Sequence, residues 1–116
     1  MRASFARQGL MGHLGARLVA VGKGSCVIAC PPRPELSQQH GYVHAGVVAA
    51  IADSAAGYAA MSVAPADSEV LTVEFKLNLL APATGDLLMA RVTLLDMGVP
   101  TKDVDAVLPV AAERKE

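Results

Sequence analysis

Aromatic side chains are scarce in this sequence, which has two Phe, two Tyr and no Trp among its 116 residues. Stacking of bases on aromatic rings is a common way to bind single-stranded nucleic acid, so the composition argues against that class of protein. An excess of charge is also missing, because ten basic and eleven acidic residues leave a formal net charge of −1. Nothing therefore favours attraction to nucleic acid or to an anionic membrane.

Long apolar segments without a charge are missing as well. The apolar run at 45–61 contains Asp53 and Ser54, and an acid at the centre of a lipid-spanning helix is costly. The N-terminal segment MRASFARQGLMGHLGARL has no continuous apolar stretch that would suit an export signal. We therefore expect a soluble, cytoplasmic protein that does not enter a membrane.

Cysteine is limited to Cys26 and Cys30. In an extended strand this spacing places both thiols on one face about 13 Å apart, which is too far for a disulfide. No further ligands follow at a spacing that suits a metal, and His40, His44 and Asp53 do not share one helical face. The sequence thus predicts two buried, reduced thiols and no metal site.

Small apolar residues are abundant instead, since 53% of the chain is hydrophobic and only 18% is charged. One domain covering residues 1–116 is expected from this length and composition. Periodicity and turn residues predict the following elements: a helix at 3–12 with Phe5, Leu10 and Met11 as apolar contacts, strands at 14–22 and 25–30 around a Gly22-Lys23-Gly24 turn, a helix at 45–62, strands at 69–80 and 86–96, and a possible strand in DVDAVLPVAA.

The helix at 45–62 is apolar almost all the way round, so it is expected to be enclosed. In the segment 69–80, apolar residues alternate with polar ones, which predicts a half-buried antiparallel strand. An antiparallel sheet wrapped around one central apolar helix is an α+β arrangement.

Three motifs carry a resemblance to a known family: FARQGLM, QQHGYVHAGVVAAIADSAAGYAA and LTVEFKLNLLAPATGD. In this order and spacing the chain resembles the hotdog-fold acyl-coenzyme A thioesterases related to the phenylacetate-pathway enzyme. The match covers residues 5–92, and residues 93–116 form a divergent tail. Such proteins have two more long strands after the position of Val92, whereas this tail offers sequence for one at most, so the C-terminal strand is expected to be incomplete.

The resemblance also implies the residues of a site. It gives Asp53 the role of attacking the thioester or activating water, and it gives the Ala45 amide, just after His44, the role of holding the thioester carbonyl. Gln38 stands where an asparagine is usual and Ala45 where a glycine is usual, while Thr72 matches a hydroxyl that assists the attacking group. The neighbouring positions Gly46, Leu71 and Val73 are the candidate substrate-binding residues.

The function implied is hydrolysis of a small or medium acyl- or aryl-CoA thioester, without a cofactor other than the coenzyme A of the substrate. The resemblance further implies a homodimer or homotetramer, with Gln38 and Ala45 from one chain and Asp53 and Thr72 from another. A dehydratase of the same fold would pair the acid with a later histidine, and no histidine follows Asp53.

The same residues also allow a purely structural interpretation. In it, Asp53 is a structural acid, His44 only begins the helix, and Thr72 is an ordinary strand residue. The protein would then be a non-catalytic acyl-CoA-binding module or a truncated, inactive relative.

Overall fold

A computed structural model describes residues 1–95 and, for the backbone alone, residues 110–115. An antiparallel sheet and one long helix form an α+β architecture. The elements in chain order are α1 (Arg2–Ala6), α2 (Gly9–Leu14), β1 (Arg17–Gly22), β2 (Ser25–Cys30), a 3₁₀ turn (Pro34–Leu36), α3 (Ala45–Met61), β3 (Leu87–Thr93) and β4 (Val110–Lys115).

The sheet has the strand order β1-β2-β3-β4, and every neighbouring pair is antiparallel. The pairing of Gly22 with Ser25 leaves Lys23 and Gly24 as a two-residue turn, and Gly24 has a φ of 75°, which suits glycine. The predicted strand at 25–30 is confirmed. The strand predicted at 14–22 begins later, because α2 continues to Leu14 before the chain turns.

The N-terminal segment contains two helices where one was predicted at 3–12. The break falls after Ala6, and α2 begins at Gly9. Of the predicted apolar contacts, Met11 is fully buried and Phe5 packs partly buried against the core. The prediction for Leu10 is wrong, since its side chain is 54% exposed and does not belong to the core.

Helix α3 lies against the sheet and supplies much of the core, which confirms the predicted helix at 45–62 to within one residue. Its buried residues are Val47, Val48, Ile51, Ala52, Ala55, Ala56, Tyr58 and Ala59. The expectation that the helix is enclosed on all sides is wrong for the single chain. A second stripe is only half-buried: residues 49, 50, 53, 54, 57, 60 and 61.

The segment 69–80 does not form the predicted strand in the single chain. Its expected buried face is exposed: Leu71 is 85%, Val73 84%, Phe75 54% and Leu79 58% accessible. A strand needs a neighbour that pairs with its backbone, and no described residue pairs with this segment. The segment therefore has the alternating pattern of a half-buried strand, but in the single chain it has neither a paired neighbour nor a covered apolar face.

The C-terminal tail contributes β4, which pairs with β3 from Val92–Val110 to Leu87–Lys115. The predicted strand in DVDAVLPVAA overlaps β4 only at its end, and its remainder lies outside the described residues. One strand follows β3 in the described part of the chain, where the resemblance implied two. The expectation of an incomplete C-terminal strand concerns residues 96–109, which lie outside the described residues, and it stays a prediction.

The two cysteines are buried and free, as the spacing predicted. Cys26 is 1% exposed, and burial raises the pKa of its thiol from 9.0 to about 11. Burial also raises the pKa of Cys30, partly opposed by the positive charge of Arg33. Both thiols are therefore protonated, structural groups at neutral pH.

We expect the Cys26 thiol to make stability depend on pH above its ordinary pKa. Between pH 9 and 11 the unfolded chain loses this proton while the folded protein keeps it, so the free energy of unfolding falls as pH rises. Below pH 9 the thiol contributes no pH dependence. Denaturant unfolding of wild type and Cys26→Ala should show a constant difference up to about pH 8.5 that shrinks toward pH 11. A difference that stays constant to pH 11 would contradict the raised pKa.

Candidate active site

The start of α3 leaves one backbone donor free. His44 occupies the N-cap position, and its Nδ1 accepts a hydrogen bond from the Gly46 N–H at 2.7 Å. The hydrogen of the neutral ring is therefore on Nε2. Among the described residues, no group accepts a hydrogen bond from the Ala45 N–H. Because the helix dipole also favours negative charge here, the Ala45 amide is suited to hold an oxyanion.

The loop before α3 is organised by Gln38. Its side-chain Oε1 accepts from the backbone N–H of His40 at 2.6 Å and from that of Tyr42 at 3.1 Å. Gly41, with a φ of 88°, lies inside this turn. The carboxamide oxygen is thus used by the loop, and only the Nε2 hydrogens of Gln38 remain for another group. No hydrogen bond from the His40 side chain occurs among the described residues, in keeping with a solvated loop residue.

Asp53 and Thr72 meet, although 19 residues separate them. The Thr72 hydroxyl donates to Asp53 Oδ1 at 2.5 Å, which is a short hydrogen bond to a carboxylate. Asp53 is half-buried and Thr72 is exposed. In the described part of the chain the one ion pair joins Arg33 and Glu35, so no cation pairs with Asp53. One carboxylate oxygen is thus held by Thr72, and no described residue donates a hydrogen bond to the other.

The structure does not bring Asp53 close to the Ala45 amide within one chain. Asp53 lies eight positions after Ala45 in α3, so the helical rise places their Cα atoms about 12 Å apart along the axis. The predicted site residues therefore form two separate groups: His44, Ala45 and Gly46 at the helix start, and Asp53 with Thr72 further along. The candidate substrate contacts Leu71 and Val73 flank Thr72 and point into solvent.

A hydrogen-bond network that the sequence analysis missed holds the N-terminal segment on α3. The Gln8 carboxamide donates to the Tyr58 hydroxyl at 2.8 Å and accepts from the Ser54 hydroxyl at 3.1 Å. The rings of Phe5 and Tyr58 are in contact, with centroids 6.1 Å apart. This network fixes the turn of α3 next to Asp53. Gln8 lies in the quoted motif FARQGLM, but no periodicity indicates its partners 46 and 50 residues away.

A groove of about 300 Å³ opens beside the helix start. His44 and Gly46, the two residues on either side of Ala45, line it, and Asp53 does not. The described residues hold no group of three or more His, Cys, Asp or Glu side chains placed to bind a metal ion. None of the helices in that part of the chain has the length and apolar character needed to cross a bilayer.

Comparisons with known proteins agree on one family. A family model for the thioesterase superfamily matches residues 40–100, more than half of the chain. The chain is 30% identical over 94 residues to 1,4-dihydroxy-2-naphthoyl-CoA hydrolase from Listeria monocytogenes, which covers 81% of this chain and 76% of that protein.

Solved structures give the same result. A thioesterase family protein from Silicibacter pomeroyi has 46% sequence identity and a TM-score of 0.79, over 81% of this chain and 69% of that one. The E. coli PaaI protein from the phenylacetic acid degradation operon shares the fold, with 21% identity and a TM-score of 0.72 over 80% and 66% of the two chains.

The antiparallel sheet packed on α3 is thus a hotdog fold, and its helix carries a carboxylate and a free amide. The chain belongs to the thioesterase superfamily and is a thioester hydrolase. The resemblance to PaaI-like thioesterases is confirmed. The roles of the individual site residues stay predictions.

Loss of the His44 cap should destabilise the protein. His44→Ala leaves the Gly46 N–H without its acceptor, so we expect the free energy of unfolding to fall by about 1 kcal/mol. His44→Asn should restore most of this loss, because asparagine is a preferred N-cap residue. Denaturant unfolding measures both. His40→Ala is the matched control on the same loop and should stay within about 0.5 kcal/mol; an equal loss in both histidine variants would contradict the capping role.

Proposed function

We propose that this protein hydrolyses a small or medium acyl- or aryl-CoA thioester to the free acid and coenzyme A, and that Asp53 is the reacting carboxylate. The observation that supports the proposal is the set of hydrogen bonds and charges around the Asp53 carboxylate. One oxygen accepts a hydrogen bond from the Thr72 hydroxyl at 2.5 Å, and no described residue donates to the other oxygen or neutralises the charge. The Listeria relative bears the name of an aryl-CoA hydrolase, which supports aryl groups among the candidate substrates.

The proposed reaction balances with these groups alone. Asp53 takes a proton from water while the water oxygen bonds to the thioester carbon, and the carbonyl electron pair moves to oxygen. The Ala45 N–H donates a hydrogen bond to that oxyanion. The intermediate then expels sulfur: the carbon–sulfur bond breaks, and the proton passes to coenzyme A. Direct attack by Asp53 followed by hydrolysis of the anhydride uses the same carboxylate and amide. Neither route includes a metal or a further cofactor.

The site in this proposal is built from two chains. Ala45 and Asp53 lie about 12 Å apart along the axis of one helix, and Asp53 does not line the groove beside Ala45, which favours a site that combines groups from two copies. Ala45 and Gln38 are therefore supplied by one copy, and Asp53 and Thr72 by another. Gly46, beside Ala45, and Leu71 and Val73, on either side of Thr72, are the proposed substrate contacts of the paired site.

The exposed segment 69–80 supports this assembly. It presents apolar side chains to solvent, with Leu71 at 85%, Val73 at 84% and Leu80 at 94% exposure, and it has the alternation of a strand that lacks a neighbour. A second copy brought up across a twofold axis would supply both cover and pairing. A homodimer is the smallest assembly that meets these needs, and a dimer of dimers preserves them. The two free, buried thiols fit the cytoplasmic location that belongs to this proposal.

Removing the charge of Asp53 should abolish hydrolysis and spare the fold. Asp53→Asn keeps the size of the side chain and its ability to accept from Thr72, but it has neither a base nor a nucleophile. Thr72→Ala removes the assisting hydroxyl and should lower kcat by about 10²-fold. Thiol release from acyl-CoA esters and thermal unfolding should be measured on the same preparations. If Asp53→Asn keeps more than about a tenth of wild-type kcat, equal to less than about 1.4 kcal/mol of barrier, Asp53 is not the reacting carboxylate. Binding of acyl-CoA without any thiol release by the wild-type protein would instead identify an acyl-CoA-binding module.

The amide donor can be removed without losing the helix. Ala45 is the first residue of α3, where proline is well tolerated, and His44 has φ −61° and ψ 137°, a conformation that a residue before proline prefers. Ala45→Pro should therefore leave stability nearly unchanged and lower kcat by about 10²–10³-fold. Steady-state kinetics and thermal unfolding check this. Normal turnover in Ala45→Pro would show that the Ala45 N–H holds no oxyanion.

Mixing the two inactive variants tests whether the site is shared. A mixed dimer of Asp53→Asn and Ala45→Pro has one site with both groups intact and one site with neither. Random exchange makes half of the dimers mixed, so about a quarter of wild-type activity should return. Mass spectrometry of intact dimers confirms the exchange. If mixed dimers form and no activity returns, the two groups do not act together across the interface.

A further inference from the structure

The groove beside the helix start has three walls. Helix α2 contributes Leu10 and Leu14, the 3₁₀ turn contributes Leu36, and α3 contributes Val47 and Ala50. Leu14, Leu36 and Val47 are 5–7% exposed, so the floor of the groove belongs to the core and is apolar. This explains why Leu10 is exposed in the single chain: it lies on the groove and not on the core.

Arg33 holds two of these walls together. Its Nη1 donates to the carbonyl oxygen of Leu14 at 2.8 Å, and its Nη2 donates to that of His13 at 2.5 Å. These carbonyls lie at the end of α2, where a cation is favourable. The thiol of Cys30 also donates to the Leu14 carbonyl, at 3.3 Å. The width of the groove is therefore set by hydrogen bonds between α2 and the residues that precede the 3₁₀ turn.

The rim of the groove is polar and includes one carboxylate. His13, Glu35, Ser37 and His44 line it at the surface. Glu35 Oε2 lies 3.6 Å from the Nε of Arg33, and its side chain is 70% exposed. Arg33 does not line the groove, and its two Nη atoms donate to backbone carbonyls of α2. An anionic group in the groove would therefore meet the Glu35 carboxylate at the rim, beside the imidazoles of His13 and His44.

We propose that this groove receives the acyl group of the thioester, and that Glu35 on its rim disfavours acyl groups that carry a carboxylate. The inference rests on the proposed function, because it places the thioester carbonyl at the Ala45 amide, between the two groove residues His44 and Gly46. Of the two groups on that carbonyl carbon, the coenzyme A arm is long and polar. The acyl group suits an apolar groove whose volume is at the low end of the 300–1,000 Å³ range of small-molecule sites.

Filling the groove should change which acyl group is preferred. Ala50→Leu adds three carbons to the wall on α3, so we expect the ratio of kcat/KM for benzoyl-CoA to that for acetyl-CoA to fall by about tenfold or more. Ala60→Leu is the matched control, since Ala60 is half-buried on the same helix and does not line the groove. Its ratio should equal that of wild type. An unchanged ratio in Ala50→Leu would overturn the assignment of the groove.

Removing the rim charge should relax discrimination against anionic acyl groups. Butyryl-CoA and succinyl-CoA have the same chain length and differ in the terminal carboxylate. We expect Glu35→Gln to raise the kcat/KM for succinyl-CoA relative to butyryl-CoA by about fivefold, the effect of one exposed charge at about 4 Å. Asp67→Asn removes an exposed acid outside both the groove and the segment 69–80, and it should leave the ratio unchanged. Equal ratios in wild type and Glu35→Gln would overturn the charge rule.

Different results would contradict the proposed function and the assignment of the groove. If the wild-type protein hydrolyses no acyl-CoA in the panel, the proposed function is wrong and this inference with it. If wild type hydrolyses them and neither Ala50→Leu nor Glu35→Gln alters the pattern of preference, the proposed function stands and the groove holds no acyl group.

Discussion

Helix α3 fixes the distance on which the proposed chemistry depends. Burial of eight of its side chains against the core holds it as one continuous helix from Ala45 to Met61. The backbone positions of Ala45 and Asp53 are consequently about 12 Å apart along the axis. In the proposed mechanism, a single chain therefore has both reacting groups but does not bring them to one carbonyl. The proposed pairing of chains follows from this rigidity.

The start of the helix is equally constrained. The present geometry of the His44 cap suits glycine at position 46, because a Cβ there would lie 2.9 Å from His44 Nδ1 and the ring would have to move. The Val47 N–H bonds back to the His44 carbonyl oxygen at 2.9 Å. Of the first three amides of the helix, two are thus occupied and that of Ala45 is left. The replacement of the usual glycine by Ala45 is harmless in this arrangement, because the donor is a backbone group that alanine shares.

Local signals were enough to predict the parts of the fold that depend on neighbours in sequence. The position of the β1–β2 turn follows from its glycines, and the structure has the turn there. The bounds of α3 follow from the length of an apolar run, and they agree with the structure to within one residue. The Asp53–Thr72 contact came from the resemblance, since no period connects residues 19 apart. The network of Gln8 with Ser54 and Tyr58 had no signal at all. A lone glutamine gives no information about a partner 50 residues away.

The segment 69–80 shows why the remaining errors have a common cause. A segment with an alternating pattern is stable as a strand under three conditions: its apolar face is buried, its polar face is exposed to solvent, and a neighbouring strand pairs with its backbone. The single chain meets only the second condition, so the same residues that predict a strand leave Leu71 and Val73 in solvent. Thr72, between them, nevertheless donates a hydrogen bond to Asp53 on α3. The alternating pattern and the exposed apolar area of this segment therefore indicate the same need for a neighbour, which the proposed second copy of the chain would supply.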